Sequence, residues 1–410
     1  MTIETDSTVA VVGASLAGLR ACETLRADGH TGPIVLVGAE THYPYDRPPL
    51  SKQFLAGTWG MDRVRLREPE KIDALGLDLR LGRLAVGLDV AGHVLELDDG
   101  SRVGFDGAVV ATGARPRQLP GRGGLTGVHT LRTLEDCLSL RADLGPAGGG
   151  RRVVVVGAGF IGSEVAATCH GLGAAVTVVE ALPVPLAGVL GHEMGAACGA
   201  LHVEHGVDLR TGVGVAGLLG DGGPGGSRVA GVALLDGTTV AADVVVVGIG
   251  VVPVTDWVAD AGLDVDDGVR ADATLHAADD VVVAGDVARW DDEHLGRSVR
   301  IEHWTNAAEQ GAAAARALVA GRDRAVAYAP VPYFWSDQYD TKIQVIGHPQ
   351  PDDEVVVVDG SVSDRRFVAL YGRAGKLTAA LGFSRPRQLM GYRGLVEAQA
   401  TLDEARRHQP

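Results

Sequence analysis

Cysteine is scarce in this chain of 410 residues, and its spacing is unsuited to covalent or metal chemistry. The four cysteines lie far apart, so neither C-x-x-C nor C-x-x-x-x-C occurs, and we interpret them as small buried hydrophobes. The 13 histidines show no H-E-x-x-H or other ligand spacing. We therefore predict no metal site and no disulfide. The cysteines are Cys22, Cys137, Cys169 and Cys198.

The chain is also short of positive charge and of long apolar runs. Its 37 Lys and Arg residues face 52 Asp and Glu residues, a formal net charge of -15 that would repel nucleic-acid phosphates. Residues 1–10 carry acids and no cation, unlike a secretory signal. The longest apolar stretch, 244–254, is about half a membrane span. We expect a cytoplasmic protein without nucleic-acid or membrane partners.

Apolar residues make up 46% of the chain, and its length suits two or three domains. Two segments resemble each other, because 9–40 and 153–180 both run as strand, Gly-rich turn, helix, strand and acid. Their helices are expected to end near Gly29 and Gly173. Each segment has the pattern of a βαβ mononucleotide-binding half. The predicted strands, β-branched runs typical of buried parallel sheets, are 9–12, 34–37, 153–156 and 175–179.

The second segment carries an intact dinucleotide fingerprint, Gly157-x-Gly159-x-x-Gly162, between a strand and a helix. Its glycines make a tight turn, admit a pyrophosphate and let helix and strand pack closely, and the helix N-terminus favours the anion. Phe160 and Ile161 fill the gap in this fingerprint.

An acid follows this fingerprint at the distance expected for a ribose contact. Glu180 comes 18 residues after Gly162, where an acid would bind the ribose 2′-OH. No Lys or Arg occurs from 181 to 209 to bind the 2′-phosphate of NADPH. These features favour NADH.

The first segment has a variant fingerprint, Gly13-x-Ser15-x-x-Gly18, with Leu16 and Ala17 in its gap and Glu40 after the second strand. The serine Cβ would crowd a close approach slightly, but its hydroxyl could bond a phosphate. By itself the segment could be a degenerate structural fold. Beside an intact partner, it is predicted to bind a second dinucleotide, and two such sites in one chain suggest FAD plus NADH.

Turn-rich regions separate and follow the two segments. Hairpins are predicted at 93–103 and at about 213–240, the latter with a Gly-rich loop at 220–226, and a helix is predicted from about 306 to 319. From 327 onward short strands alternate and a helix follows near 391–406, which favours a separate α+β domain. The predicted fold is α/β, with two Rossmann-like dinucleotide-binding domains plus a C-terminal α+β domain. The predicted ranges are 1–112 with 244–325, then 113–243, then 326–410.

Several further motifs are specific. They are Tyr45-Asp46-Arg47-Pro48-Pro49-Leu50-Ser51-Lys52, Ala111-Thr112-Gly113, Gly157 to Glu164, Gly285-Asp286, Glu302-His303-Trp304 and Phe334-Trp335-Ser336-Asp337-Gln338. With them, nearly the whole chain resembles the FAD-containing ferredoxin reductases of bacterial oxygenase systems, the putidaredoxin-reductase and biphenyl-dioxygenase-reductase type. The resemblance implies a glutathione-reductase-like architecture whose first domain holds FAD.

The resemblance also implies roles for single residues. Glu40 would bind the adenosine ribose of FAD, Arg47 a phosphate, Lys52 would lie near the flavin ring and Asp286 would bind the ribityl chain. Glu164 would lie close to the nicotinamide and could pair with Lys52, so these two are the candidate catalytic residues. The FAD set also includes Ala111, Thr112, Gly113, Trp304 and Trp335, and the NADH set includes Gly248, Ile249 and Gly250.

Ordinary structural roles remain open for several of these residues. Lys52 could be a solvated loop lysine, and Glu164 an acid favoured by a helix N-terminus. Asp286 could be a helix N-cap, and Trp304 and Trp335 could be core residues.

The function implied by the resemblance is NADH-dependent reduction of a ferredoxin. Nicotinamide gives two electrons together, an iron–sulfur cluster accepts one at a time, and flavin can do both. The ferredoxin would serve a haem-thiolate monooxygenase or a ring-hydroxylating dioxygenase. Disulfide reductases share the fold, but no cysteine lies between Cys22 and Cys137, where their redox pair would fall. The alternatives are an NADH oxidase or quinone or flavin reductase, and a signalling flavoprotein like the apoptosis-inducing factors.

A local basic surface should receive the ferredoxin, since ferredoxins are usually acidic. Arg63, Arg65 and Arg67 alternate, so an extended strand would place them on one face. Two further arginine pairs are candidates, and scattered solvated arginines are the alternative. The expected oligomeric state is a monomer or weak homodimer. The further pairs are Arg297 with Arg300 and Arg385 with Arg387.

Overall fold

A computed structural model of the chain describes residues 3–120, 124–145, 149–222 and 227–409. The chain forms two compact units, each assembled from segments that are distant in sequence. The first unit comprises Met1–Asp46, Met61–Arg115 and Val252–Pro330, and the second comprises Arg47–Gly60, Pro116–Val251 and Val331–Pro410.

The helices and strands of the described residues are numbered in chain order. The helices are α1 (Leu16–Ala27), α2 (Pro69–Asp73), α3 (Leu134–Leu144), α4 (Phe160–Gly171), α5 (Ala187–Glu204), α6 (Trp304–Ala320), α7 (Pro386–Met390), α8 (Arg393–Glu397) and α9 (Leu402–Arg407). The strands are β1 (Val9–Val12), β2 (Ile34–Gly38), β3 (Asp78–Leu81), β4 (Ala85–Asp89), β5 (Val94–Leu97), β6 (Arg102–Gly104), β7 (Gly107–Val110), β8 (Ala114–Pro116), β9 (Val128–His129), β10 (Arg152–Val156), β11 (Ala175–Glu180), β12 (Asp208–Thr211), β13 (Val215–Gly220), β14 (Val229–Leu234), β15 (Thr239–Ala241), β16 (Val244–Val247), β17 (Val251–Pro253), β18 (Val269–Ala271), β19 (His276–Ala278), β20 (Val281–Val283), β21 (Ala288–Asp292), β22 (Arg297–Val299), β23 (Tyr333–Gln338), β24 (Thr341–Gly347), β25 (Glu354–Ser361), β26 (Arg366–Arg373) and β27 (Lys376–Phe383).

A six-stranded sheet of order β19-β20-β7-β1-β2-β3 lies at the centre of the first unit. The strand β1 pairs in parallel with β2 and β7, so Val9 lies opposite Ile34 and Gly107. All residues of β1, β2, β7 and β20 are buried, as expected for parallel strands covered on both faces. Helices α1 and α6 pack so closely that a Cβ on Gly311 would lie 2.3 Å from the carbonyl oxygen of Ala17.

Two small three-stranded sheets also lie in the first unit. The antiparallel order β4-β5-β6 confirms the hairpin predicted at 93–103, and β18-β21-β22 forms the other sheet. The helix predicted over 306–319 is confirmed as α6. The predicted βαβ strands are likewise confirmed, and Gly29 ends the α1 region with a φ of 94°.

The second unit contains a five-stranded parallel sheet of order β12-β11-β10-β16-β9. Here one predicted boundary is wrong. The strand Val244–Val247, assigned from sequence to the first domain, pairs with β10, so Val153 lies opposite Val244. Its apolar residues suit either parallel sheet, and only the pairing decides between them. The hairpin predicted at 213–240 is confirmed as β13 and β14, although residues 223–226 of its loop lie outside the described residues.

The C-terminal strands form a five-stranded antiparallel sheet of order β23-β24-β27-β26-β25. One face packs on α5, and the core there combines Leu190 and Met194 with Phe367 and Leu381. The opposite face packs on the last helices through residues such as Leu389, Tyr392 and Leu402. Residues 331–410 therefore share a compact unit, and part of their core, with the second parallel sheet.

Two local predictions are wrong. The single helix expected near 391–406 is divided into α8 and α9, because Gln399 adopts a positive φ of 48° and Thr401 starts a new helix with a capping box. The extended strand expected through Arg63, Arg65 and Arg67 is absent, since Met61–Arg63 forms a 3-10 turn. Arg67 binds Glu23 at 2.6 Å and Arg65 lies 3.4 Å from Glu68, so these arginines do not form one unopposed row.

Candidate functional site

The fingerprint loop of the first unit follows β1 at the carboxyl edge of the six-stranded sheet. Gly13 has a φ of 122°, and a Cβ on it would lie 2.1 Å from the carbonyl oxygen of Ala111. A Cβ on Gly18 would lie 2.0 Å from the carbonyl oxygen of Gly13. The turn and the close packing of helix on strand therefore both require glycine at these positions.

Ser15, which replaces the central glycine, is the N-cap of α1. Its backbone is extended and its side chain makes no capping hydrogen bond. The hydroxyl therefore stands at the helix N-terminus, beside the N–H groups of Leu16 and Ala17, where an anion is favoured. This arrangement fits a dinucleotide phosphate.

The other predicted residues of this unit follow strands of the same sheet. Ala111, Thr112 and Gly113 follow β7, and Thr112 Oγ1 donates to the carbonyl oxygen of Val254 at 2.9 Å. Asp286 follows β20 but lies in a 3-10 turn, Gly285–Val287, that runs into β21. The alternative that Asp286 is a helix N-cap is therefore wrong, since Ala284 precedes the turn in that position. Because these strands are parallel, their carboxyl ends share one edge with Gly13.

Glu40 and Trp304 are both held by residues of the Tyr45-Asp46 motif. The Tyr45 hydroxyl donates to Glu40 Oε2, and Trp304 Nε1 donates to Asp46 Oδ1 at 2.6 Å. Trp304 begins α6 and is 37% exposed, so it is not an ordinary core residue. These bonds fix the directions of an acid and an indole ring in the first unit.

The second unit repeats the fingerprint geometry at β10. Cβ atoms on Gly157 and Gly162 would lie 2.4 Å from the carbonyl oxygen of Gly248 and 2.1 Å from that of Gly157. A Cβ on Gly159, the N-cap of α4, would meet no atom within 4 Å. Open space therefore lies over the central glycine, where a pyrophosphate would approach. The Gly157–Gly248 contact also brings the predicted residues Gly248, Ile249 and Gly250 to this edge.

Glu180 ends β11 at the same edge and is tied to the fingerprint loop. Its Oε2 accepts from the N–H of Ala158 at 2.7 Å, and its Oε1 accepts from the N–H of Leu182 at 2.8 Å. The cation that follows it in sequence, Arg210, binds Asp208 at 2.9 Å. A fixed carboxylate therefore stands where an acid is expected to meet a ribose hydroxyl.

A buried ion pair lies at the second helical turn of α4. Lys52 Nζ lies 2.7 Å from Glu164 Oε2, and the two side chains are 12% and 3% exposed. Lys52 is thus not a solvated loop residue. Sequence reasoning missed two further donors to this carboxylate: Ser51 Oγ donates to Oε2 at 2.5 Å and Ser336 Oγ donates to Oε1 at 2.8 Å. The only sequence signal for these two hydrogen-bond donors is that Ser51 and Ser336 each lie inside one of the specific motifs.

The remaining predicted FAD residues, Arg47 and Trp335, belong to the second unit, as Lys52 does. Arg47 Nη1 donates to the carbonyl oxygen of Arg132 at 2.5 Å. Trp335 is half-buried in β23, and its ring stacks at 29° to that of Tyr333, with centroids 6.2 Å apart. The predicted FAD set is therefore divided between the two units.

All four cysteines are buried and unpaired with one another as disulfides. Burial raises the pKa of each thiol to about 12, so each stays protonated at neutral pH. Among the described residues, no group of three or more His, Cys, Asp or Glu side chains could hold a metal ion. Within the same ranges, no helix has the length and apolar character needed to cross a bilayer.

Two family models match the chain. Residues 7–311 match the pyridine nucleotide-disulphide oxidoreductase family, and residues 333–410 match the reductase C-terminal family. Rhodocoxin reductase of Rhodococcus erythropolis is 36% identical over 396 residues, which cover 96% of this chain and 90% of that protein. The anthranilate 1,2-dioxygenase system ferredoxin–NAD(+) reductase component of Burkholderia cepacia is 38% identical over 400 residues, covering 96% and 95%.

A solved structure of a related reductase is similar to this chain over nearly its whole length. The crystal structure of the covalent putidaredoxin reductase–putidaredoxin complex contains a chain with a TM-score of 0.91 and 33% sequence identity to this one. The match covers 97% of this chain and 94% of that chain. The predicted resemblance and fold class are thereby confirmed.

Proposed function

The chain belongs to the pyridine nucleotide-disulphide oxidoreductase family, and from that premise we propose that it is an FAD-dependent reductase that oxidises NADH and passes electrons singly to a small iron–sulfur ferredoxin. One observation carries the proposal. A single chain holds two fingerprint loops in which added Cβ atoms would collide with backbone carbonyl oxygens at 2.0 to 2.4 Å. Such loops are the means by which helix N-termini receive dinucleotide pyrophosphates.

NADH rather than NADPH is the proposed donor. Both oxygens of Glu180 are held by backbone N–H groups, so the carboxylate cannot easily turn away from a bound ribose. It would accept a hydrogen bond from a 2′-OH and would repel a 2′-phosphate. The Arg210 guanidinium already binds Asp208, which makes it a poor substitute for a phosphate-binding arginine.

FAD is the proposed ligand of the first fingerprint loop, Gly13 to Gly18, and the proposed contacts are those expected from sequence. Ser15, Leu16 and Ala17 would bind a phosphate at the start of α1, and Glu40, oriented by Tyr45, would bind the adenosine ribose. Arg47, Thr112, Asp286, Trp304 and Trp335 complete the proposed set. When bound, FAD would accept two electrons together and release them one at a time.

Lys52 and Glu164 are the proposed catalytic pair. The Lys52 ammonium would stabilise negative charge that develops on the flavin ring, and Glu164 would favour the positive charge that develops on the nicotinamide. Each group also compensates the charge of the other, so neither charged group is buried without a partner of opposite sign. The fixed pair would therefore contribute electrostatics and positioning rather than proton transfer.

Disulfide reduction, the activity in the family description, is not part of the proposal. That chemistry needs a pair of redox cysteines beside the flavin, whereas the four cysteines of this chain are buried and free, and none lies between Cys22 and Cys137 in sequence. The proposed acceptor is instead a ferredoxin, because relatives that match nearly the whole chain are named as ferredoxin–NAD(+) reductase components and rhodocoxin reductase. The terminal enzyme would be a haem-thiolate monooxygenase or a ring-hydroxylating dioxygenase.

Cytochrome c reduction tests this function. Purified FAD-loaded protein should oxidise NADH with ferricyanide in the absence of any ferredoxin, and it should reduce cytochrome c several-fold faster once a [2Fe–2S] ferredoxin is added. NADPH serves as the comparison donor. If ferredoxin left cytochrome c reduction unchanged while oxygen or quinone consumed NADH rapidly, the oxidase or quinone-reductase alternative would replace the proposal.

The proposal also includes a cytoplasmic location and a monomer or weak homodimer. Four cysteines without a disulfide agree with a reducing compartment. Light scattering of the purified protein over a range of concentrations tests the oligomeric state, and a tight dimer at the lowest concentration would contradict it.

A further inference from the structure

The inner face of β23 lies against the start of α4. Phe334, Ser336 and Gln338 alternate along this strand and are 7%, 0% and 0% exposed. The Phe334 ring packs edge-on against Phe160, the first residue of α4, with centroids 4.8 Å apart. The C-terminal strand therefore supports the start of the helix that presents Glu164 one turn later.

The two polar residues of this face form a directional relay to Glu164. Gln338 Nε2 donates to Ser336 Oγ at 3.3 Å, and Ser336 Oγ donates to Glu164 Oε1 at 2.8 Å. A hydroxyl has a single proton, so the amide donor of Gln338 leaves the Ser336 proton to point toward the carboxylate. The strand thus orients a hydrogen bond rather than simply filling space.

The relay leaves neither carboxylate oxygen of Glu164 without a donor. Ser336 holds Oε1, and Lys52 with Ser51 holds Oε2. Ser51 is itself fixed, because Thr168 Oγ1 donates to its carbonyl oxygen at 2.7 Å. With both oxygens held, the carboxylate cannot rotate without breaking a charge-assisted hydrogen bond.

Polar residues are an unusual choice at these two positions. Phe334, on the same strand face, belongs to an apolar core with Ile343, Val345 and Leu381. Buried hydroxyl and amide groups cost free energy unless they are hydrogen-bonded, and apolar residues of similar size would pack there without that cost. A role in orienting Glu164 accounts for their presence.

We infer that Ser336, aligned by Gln338, is a positioning residue through which the C-terminal domain holds the Glu164–Lys52 pair in a single geometry for hydride transfer. The inference rests on the proposed function for its chemical meaning. It deepens that function, because it assigns part of the preorganisation of the reaction site to a domain outside both dinucleotide-binding folds.

The test compares Ser336→Ala with Ser336→Thr and with the exposed control Ser363→Ala in FAD-loaded protein. Stopped-flow measurement of flavin bleaching by NADH gives a limiting rate and an NADH dissociation constant. Loss of one hydrogen bond to a buried charge should slow the limiting rate of Ser336→Ala about tenfold. The NADH dissociation constant should change by less than about threefold, since Ser336 contributes no contact that binds NADH equally in the ground state and the transition state. Threonine should restore most of the rate, and Ser363→Ala should match wild type.

Two further variants separate positioning from general damage. Gln338→Met should also lower the limiting rate, but by a smaller factor than Ser336→Ala. It replaces Ser336→Ala as the test variant if Ser336→Ala folds poorly. Adding Ser336→Ala to Glu164→Gln should produce no further loss, because a residue that acts through Glu164 has nothing to position once that carboxylate is gone. Additive losses in the double variant would overturn the inference.

Crystal structures of wild type and Ser336→Ala give a readout that does not depend on turnover. Glu164 should occupy one rotamer in wild type and more than one in the variant. An unchanged carboxylate together with an unchanged limiting rate would refute the inference while leaving the reductase function intact. If wild-type protein did not transfer hydride from NADH at all, the proposed function would fail, and the Glu164 rotamers would still decide the positioning claim.

Discussion

Replacing Glu180 with glutamine should relax the preference for NADH over NADPH. The substitution keeps the size of the side chain and removes its negative charge. Glu180 uses separate oxygens to accept from Ala158 and Leu182, at 2.7 and 2.8 Å, and glutamine can provide only one carbonyl oxygen. The variant therefore loses the repulsion toward a 2′-phosphate and also one of the two bonds that hold the side chain in place.

The magnitude follows from the charges and their exposure. Two unit charges about 6 Å apart interact by about 3 kcal/mol at an effective dielectric constant of about 20. Glu180 is half-buried, and solvent screening should reduce this to about 1.4 kcal/mol, or tenfold in kcat/KM for NADPH. Loss of one hydrogen bond should cost about 1 kcal/mol, or roughly fivefold in kcat/KM for NADH. The ratio of the two constants should then change by about fiftyfold.

Ferricyanide reduction measures both constants without requiring a ferredoxin. The matched control is Glu193→Gln, which removes the same charge from an exposed position on α5 and should leave the ratio unchanged. If Glu180→Gln kept the wild-type ratio of NADH to NADPH efficiency, Glu180 would not be the residue that faces the ribose. The assignment of NADH to the second fingerprint loop, Gly157 to Gly162, would then lose its basis.

Two further predictions concern stability and cofactor retention. Gly13→Ala should lose most of its FAD and unfold at a lower temperature, because its Cβ would lie 2.1 Å from the Ala111 carbonyl oxygen. The control Gly29→Ala has a similar positive φ but open space around the Cβ, so it should retain FAD. Equal flavin content in the two purified variants would contradict the steric argument. Burial, with a smaller contribution from His205, lowers the pKa of His202 to about 4. The unfolded chain, where histidine titrates near about 6.5, then binds more protons between these values, so stability should fall as pH decreases from about 6.5 toward about 4. His202→Gln should show a smaller drop in unfolding temperature between about pH 7 and about pH 5, and an equal drop in both proteins would mean that other groups cause it.

Local features explain which parts of the fold could be predicted. The fingerprint glycines and their flanking β-branched runs specify strand, turn and helix within a few residues, so both βαβ segments and the cap at Gly29 were predicted correctly. The sheet joined by Val244–Val247 depends on pairing with Val153–Val156, far away in sequence, and an apolar run carries no information about its neighbour. The break at Gln399 depends on a single residue in a left-handed conformation.

The candidate site shows the same division. The pairing of Lys52 with Glu164 was implied by the resemblance to the ferredoxin reductases, and the structure brings the two side chains to 2.7 Å. Ser336 lies 172 residues after Glu164 in sequence, and a serine in an alternating strand gives no signal of a buried acceptor. Likewise, alternation of Arg63, Arg65 and Arg67 suggests a strand, but the contact of Arg67 with Glu23 reflects a turn that alternation alone cannot reveal.

The sheet that lies between α5 and the last helices limits how this protein can be divided in the laboratory. A fragment ending near residue 330 would leave Leu190, Met194 and Leu201 of α5 without the apolar partners that now cover them. Such a fragment would expose a contiguous apolar surface on α5, and we expect it to aggregate. Any exchange of the C-terminal sheet for that of a relative should therefore include α5.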